Sequence, residues 1–305
     1  MFDFSGKTVL ITGASMGLGE GFAYGFAEAG AELVLTARTT DALERVAAEC
    51  RAKGSPKVTV VPGDVAVEAD VINAVATGIA EHGKIDVLVN NAGVADMRGI
   101  APEQFDMATW NWIISVDLNG AFMMLREVGK HMLERGSGSI INICSIMGSG
   151  ASELNIIAYA AAKGGLRNVT QQLGCEWADR GVRVNSVSPG FIVTEMVRPA
   201  LEGMGMDRWI ASRTPMRRIG ELGEIVAPVM FLASDAASYI TGQDLCVDGG
   251  TNASNGTYQI PPIHHEWNVE TPRIGQGYPG VQPRPDWYQV MIAGIPGVHY
   301  TPPAE

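Results

Sequence analysis

This sequence has no basic surplus. Its 22 lysines and arginines face 33 aspartates and glutamates, a net charge of −11, and no local cluster of cations breaks the pattern. A chain so charged cannot neutralise a phosphate backbone over several contacts, which excludes nucleic acid as a partner. Long apolar runs are also missing: none reaches the roughly eighteen residues of a membrane span. The first residues, MFDFSGKTVLITG, carry an acid at Asp3 where an export signal has a basic region. The expectation is a cytoplasmic protein with no membrane attachment. Cysteine is scarce, and Cys50, Cys144, Cys175 and Cys246 show no C-x-x-C spacing and no neighbouring histidines. They are expected to be reduced, packed thiols. His264 and His265 are adjacent in a proline-rich stretch, where two side chains rarely reach one ion, so no metal is expected.

What the sequence has in quantity is apolar segments of strand length: KTVLITG, AELVLTA, KVTVVPG, IDVLVNNAG, SIINICS, VRVNSVSPG and DLCVDGG. Strands apolar throughout are buried on both faces, as in a parallel sheet with helices on either side. Between the early ones, EGFAYGFAEAG and TDALERVAAECRAKG carry apolar faces at helical spacing and stop at Gly30 and Gly54. The alternation predicts α/β architecture, a doubly wound parallel sheet in one domain over 1–250. Residues 251–305 differ in kind, with nine prolines, two tryptophans and four tyrosines. Proline denies them long helices, yet a disordered tail is usually poor in aromatics. They are expected to form an ordered, extended extension that packs on its own subunit or a neighbour.

The first strand ends in TGASMGLG, Thr12 to Gly19, and opens into a helix. Glycines at such a turn serve sterics alone in many proteins. Here, after the first strand, they also suit a pyrophosphate held by backbone amides and the positive end of the helix dipole. The residues would be Gly13, Ser15, Met16, Gly17, Leu18 and Gly19. The second strand closes on TARTT, with Arg38 and Thr39 where an acid would bond the ribose 2′-hydroxyl of NAD. A guanidinium there suits a 2′-phosphate, so NADP(H) is preferred over NAD(H).

With GDV at Gly63 to Val65, NNAG at Asn90 to Gly93, Ser145 in INICS, YAAAK at Tyr159 to Lys163 and PGFIVT at Pro189 to Thr194, the chain resembles the short-chain dehydrogenase/reductase family from Lys7 to about Thr251. The resemblance implies a Rossmann fold and NAD(P)-dependent interconversion of a ketone and a secondary alcohol, with Tyr159 as acid/base, Lys163 as its partner and Ser145 as the orienting hydroxyl. It extends the cofactor-binding set to Asp64, Val65, Asn91, Gly93, Tyr159, Lys163, Pro189, Gly190, Ile192 and Thr194, and implies a homo-oligomer, a tetramer or dimer. Chemistry agrees: a free phenol with a pKa near 10 is a poor proton donor at neutral pH, and a cation about 4 Å away favours its ionised form. Ser145 would donate to the carbonyl oxygen of the substrate.

One position departs from the family pattern. Where V-N-L-x-G-x-F is usual, this chain reads VDLNGAF, with Asp117 in place of the asparagine that shapes a helix kink and holds a relay water. Aspartate keeps the acceptor and loses the amide donor, and Ser115 or Asn119 could compensate. Asp117 is therefore assigned to the catalytic relay. The segment after PGFIVT, with Met196, Met204, Met206, Trp209 and Met216, is expected to line the pocket and to favour a bulky hydrophobic or aromatic carbonyl compound. Two other functions compete: a dinucleotide-sensing regulator, which would need no proton donor, and a sugar-nucleotide epimerase or dehydratase, whose glycine spacing differs.

Overall fold

The apolar segments form strands, buried along the five central ones and partly exposed at the sheet's two edges, the segments KVTVVPG and DLCVDGG, because an edge strand is covered on one side only. β1 (Thr8–Thr12), β2 (Glu32–Thr36), β3 (Val58–Val60), β4 (Val87–Asn90), β5 (Gly138–Ile143) and β6 (Val182–Pro189) join the last strand, β9 (Asp244–Val247), in one parallel seven-stranded sheet. The computed structural model describes residues 2–96, 100–151, 154–193 and 206–254. These belong to the first of two units, Met1–Tyr258, while the second, Gln259–Glu305, lies outside the described residues together with the expectations for the extension.

The strand order is β3-β2-β1-β4-β5-β6-β9, a Rossmann fold. Val9 of β1 pairs with both Leu33 of β2 and Val87 of β4, so the chain winds away from β1 first to one side and then to the other. Such a reversal leaves a crevice beyond the carboxyl ends of β1 and β4, the place where ligands bind in open α/β sheets. The short β7 (Ile192–Val193) and β8 (Gly220–Glu221) pair separately just past β6.

Eight α-helices lie among the described residues: α1 (Gly17–Glu28), α2 (Thr40–Ala52), α3 (Glu68–His82), α4 (Met107–Ile114), α5 (Ala121–Arg135), α6 (Ile157–Glu176), α7 (Met206–Arg213) and α8 (Leu222–Ala233). On one face Phe22 and Phe26 of α1 and Val229 of α8 pack against Ile11 and Leu35. On the other, Val71 of α3, Leu125 of α5 and Leu166 of α6 pack against Leu10 and Leu88. None of these helices is long and apolar enough to cross a membrane. Between α4 and α5 there is no loop. The segment SVDLNG, Ser115–Gly120, is a turn of π-helix, a widened coil that re-aims side chains and often marks a functional site.

Asp86, just ahead of β4, holds the opposite end of the sheet. It accepts from the Thr8 N–H at 2.9 Å and pairs with Arg135 at 2.9 Å and Lys84 at 3.0 Å. Burial pushes its carboxyl pKa up, but these donors outweigh burial and hold it below the usual range. A carboxylate depressed in this way stabilises the fold above its unfolded pKa, and that contribution is lost as pH falls through the lower folded value. Asp86→Asn is expected to cost about 1–3 kcal/mol at neutral pH. Urea unfolding should show that difference shrinking below about pH 4.

Candidate active site

The crevice between β1 and β4 is tied across its floor. Thr12 Oγ1 accepts from the N–H groups of Asn91 and Ala92, each at 2.9 Å, and Asn91 Nδ2 donates to the carbonyls of Thr12 at 2.9 Å and Gly13 at 3.3 Å. The turn then climbs into α1 with Gly13 in the left-handed region at φ +63°. A Cβ on Gly19 would lie 2.2 Å from the Gly13 carbonyl oxygen and 2.6 Å from Asn91 Nδ2, so only glycine fits. Helix α1 begins at Gly17 behind an extended Met16, with no side chain capping its first amides. A Cβ on Gly17 would meet nothing within 4 Å. Uncapped amides facing open space at a helix start suit a dinucleotide pyrophosphate.

Ser15 is buried, and its carbonyl accepts from Arg45 at 3.3 Å. Arg45 in turn grips Glu20 at 2.7 and 3.1 Å, and Tyr24 donates to the same carboxylate at 2.6 Å. This brace from α2 to α1 escaped the sequence reading, because nothing in the spacing of Arg45 and Glu20 marks them as neighbours. Arg38 and Thr39 are exposed at the end of β2. Arg38 makes no ion pair or hydrogen bond among the described residues. Asp64 is turned into its own loop, accepting from the Ala66 N–H at 2.9 Å, and Val65 is buried beside it. Pro189 ends β6 and the Gly190 N–H donates to Val247 at 3.0 Å. Ile192 lies in β7. Thr194, Met196 and Met204 lie outside the described residues, as do the side chains of Met206 and Trp209.

Helix α6 starts at Ile157 and presents Tyr159 and Lys163 one turn apart on the same face. The Lys163 ammonium sits 5.6 Å from the centre of the Tyr159 ring, donates to the Ile143 carbonyl at 3.1 Å and lies 3.2 Å from Asp117 Oδ2. Ser145 follows β5. Its Oγ accepts from the Met147 N–H at 3.2 Å, which leaves its own hydrogen free to donate. The loop after it rests directly on α6, since a Cβ on Gly148 would fall 2.6 Å from the carbonyl carbon of Lys163. A buried polar chain holds α6 to the sheet: Asn90 Nδ2 donates to Asn142 Oδ1 at 3.2 Å, and Asn142 Nδ2 donates to Thr170 at 2.8 Å. Only the oddness of asparagines inside apolar strands hinted at it.

Asp117 is fully buried. It reaches the site from the π-helical turn, and its Oδ1 accepts from the Val94 N–H at 2.7 Å. Neither suggested substitute for the amide is available: Ser115 spends its hydroxyl on the Trp112 carbonyl, and Asn119 is exposed. Burial raises the Asp117 carboxyl above its usual range, and neither Lys163 nor the Val94 N–H cancels that. Burial pulls Lys163 down, but Asp117, Tyr159 and Cys144 outweigh it and leave the lysine raised, hence charged. Burial pushes the Cys144 thiol up to about 12, so it stays neutral beside them.

A separate cavity of about 370 Å³ opens beyond β6 and β9, lined by Phe191, Ile192, Met216, Arg218, Cys246 and Asp248 among others. None of Ser145, Tyr159 and Lys163 lines it. Tyr159, Lys163 and Asp117 meet instead at the face of α6 turned toward β4 and β5.

The chain is similar to known proteins over most of its length. The family model described as enoyl-(acyl carrier protein) reductase matches residues 13–252. Gluconate 5-dehydrogenase of Gluconobacter oxydans is 37% identical over 254 residues, covering 83% of this chain and 98% of its own. Galactitol 2-dehydrogenase (L-tagatose-forming) of Cereibacter sphaeroides is 38% identical over 82% of this chain and 96% of its own. Among solved structures, a gluconate 5-dehydrogenase from Burkholderia cenocepacia in complex with NADP and tartrate superposes with a TM-score of 0.77 at 36% identity, over 83% of this chain and 97% of that one.

Proposed function

We propose, for a chain that belongs to the short-chain dehydrogenase/reductase family and is an NAD(P)-dependent oxidoreductase of the alcohol dehydrogenase and carbonyl reductase type, that it interconverts a ketone and a secondary alcohol on a polyhydroxylated substrate, a polyol or sugar acid, with NADP(H) preferred over NAD(H). One observation carries the reading: a buried, charged lysine one helical turn from a tyrosine and within 5.6 Å of its ring, on a helix against which the loop after Ser145 packs.

When bound, the nicotinamide ring supplies or takes up the hydride. The chain's own residues do the rest. Gly13, Ser15, Met16, Gly17, Leu18 and Gly19 cradle the phosphates. Asn91, Gly93, Lys163 and the Pro189–Gly190 turn flank the nicotinamide half, while Asp64 and Val65 border the adenine. Tyr159 gives its proton to the oxygen of the carbonyl during reduction and takes it from the alcohol during oxidation. Ser145 donates a hydrogen bond to that oxygen and steadies its growing charge. Lys163 places the phenol electrostatically.

The preference for NADP(H) is supported by Arg38, exposed at the end of β2 without a partner among the described residues, and by the NADP carried by the Burkholderia relative. The expected kcat/KM for NADPH exceeds that for NADH by about tenfold or more, equal to about 1.4 kcal/mol. Arg38→Ala combined with Ala37→Asp should reverse the order, because it removes the cation and installs a ribose acceptor. Steady-state kinetics with both cofactors decide it, and an unmutated protein that favours NADH overturns it.

The relatives give no support to a bulky hydrophobic or aromatic carbonyl compound, since gluconate and galactitol are small and hydroxyl-rich. Neither the regulator nor the epimerase reading gains an observation. We further infer a homo-oligomer located in the cytoplasm, each chain divided into a dehydrogenase domain over 1–250 and an extension over 251–305. Oxidation rates across gluconate, galactitol and aromatic secondary alcohols test the substrate class. A best substrate among the aromatic alcohols would return the reading to the bulky class.

A further inference from the structure

The position that breaks the family pattern is also the most deeply buried charge at the site. Asp117 is fully buried, and Lys163 is 3% exposed. The gap between them is 3.2 Å, off the line of a directed hydrogen bond, since Oδ2 has no hydrogen-bond partner. The Gly93 α-carbon faces both: a Cβ there would lie 3.1 Å from Asp117 Oδ2 and 3.2 Å from Lys163 Nζ. The pair is thus closed off on that side by backbone.

The architecture itself does not require a charge at this position. The bond from the Val94 N–H ends on Oδ1, an oxygen that an asparagine of the same shape would supply equally well. What the carboxylate adds is a negative charge, and its nearest recipient is Lys163. A buried lysine paired with a carboxylate at close range keeps its proton while the carboxylate answers its charge. Seen from a few ångströms further off, the pair acts as a dipole with no net charge, and its field on a neighbouring phenol is weaker than that of a lone cation.

We propose that Asp117 is a positioning residue that balances the charge of Lys163, so that proton transfer at Tyr159 runs beside a neutral ion pair and not beside an isolated ammonium. The inference rests on the reading of Tyr159 as acid/base given above. Among the described residues the surroundings add no further charge. Lys163 is faced by Tyr159 from its own helix, by Asp117 from the π-helical turn and by the neutral Cys144 thiol after β5. Behind Cys144, the Asp244 carboxylate is occupied by Ser186 at 2.7 Å, Ser188 at 2.8 Å and Arg167 at 3.0 Å. The consequence is a phenol that keeps its proton to higher pH. Carbonyl reduction then extends into alkaline conditions, and alcohol oxidation needs them.

The test uses the full-length protein. In the pH profile of kcat/KM for alcohol oxidation, the midpoint is expected to fall by about 1–2 pH units in Asp117→Asn, because the unbalanced lysine then favours phenolate. The same downward shift is expected without cofactor or turnover, in the phenolate absorbance that disappears on Tyr159→Phe, titrated with Asp117 and with Asn at that position. A midpoint that stays put or rises in the absorbance titration overturns the proposal. If Asp117→Asn does not fold, Asp117→Ser is titrated in its place: the same downward shift relative to the unsubstituted protein is expected, and a midpoint that does not fall overturns the proposal. A Tyr159→Phe variant that stays active would instead sink the acid/base reading, and the absorbance titration would still measure the charge balance.

Discussion

Tyr159→Phe is expected to lower kcat/KM by about a thousandfold or more while leaving NADPH affinity within a few fold. The ring and its packing survive the substitution, and only the exchangeable proton is removed, a term that typically contributes about 10²–10⁴-fold. Lys163→Ala should behave differently. It removes a buried cation that donates to the Ile143 carbonyl and pairs with Asp117, so it strands a buried carboxylate and takes away the cofactor contact proposed above for Lys163. Both turnover and cofactor affinity should fall. Steady-state kinetics together with a fluorescence titration of NADPH separate the two cases. Retention of about a tenth of the unsubstituted activity by Tyr159→Phe would show that another group supplies the proton.

Gly19→Ala is expected to have the second large effect, on binding before chemistry. The added methyl would stand 2.2 Å from the Gly13 carbonyl oxygen, and that oxygen belongs to a backbone already committed to Asn91. Neither atom can give way without breaking the tie between β1 and β4. Overpacking of this kind costs about 1–3 kcal/mol of stability. The displaced turn should weaken NADPH about a hundredfold, equal to about 2.7 kcal/mol. Gly223→Ala in α8 serves as the control, because a Cβ there meets nothing within 4 Å and the helix gains up to about 1 kcal/mol from the exchange. Cofactor titration and thermal unfolding of both variants check the expectation. An unchanged NADPH affinity in Gly19→Ala would mean that the turn is not the phosphate cradle.

The two substitutions mark different distances between text and structure. Tyr159 and Lys163 were legible as a pair because helical periodicity places residues four apart on one face, a purely local rule. The strands were legible for a similar reason: runs such as TVLIT and ELVLT have no polar alternation, and β1 and β2 are accordingly buried along nearly their whole length. The glycine turn could be recognised from its position between a strand and a helix. Its most demanding contact, Gly19 against Gly13 and Asn91, could not, because Asn91 arrives from β4.

The sequence carried the layer architecture, the glycine turn after β1, the one-turn spacing of Tyr159 and Lys163 and the lack of an acid after β2, since each follows from periodicity or from a short motif. It also showed that Asp117 replaces an asparagine, but not what that exchange touches. Only the tertiary structure decided that the carboxylate lies 3.2 Å from Lys163, that Arg45 braces the Ser15 carbonyl through Glu20, and that Gly148 seats the Ser145 loop on α6. These are contacts between segments distant in the chain, brought together when sheet and helices close over a shared core. Their energies depend on burial and on distances of a few ångströms, which no local pattern of residues encodes.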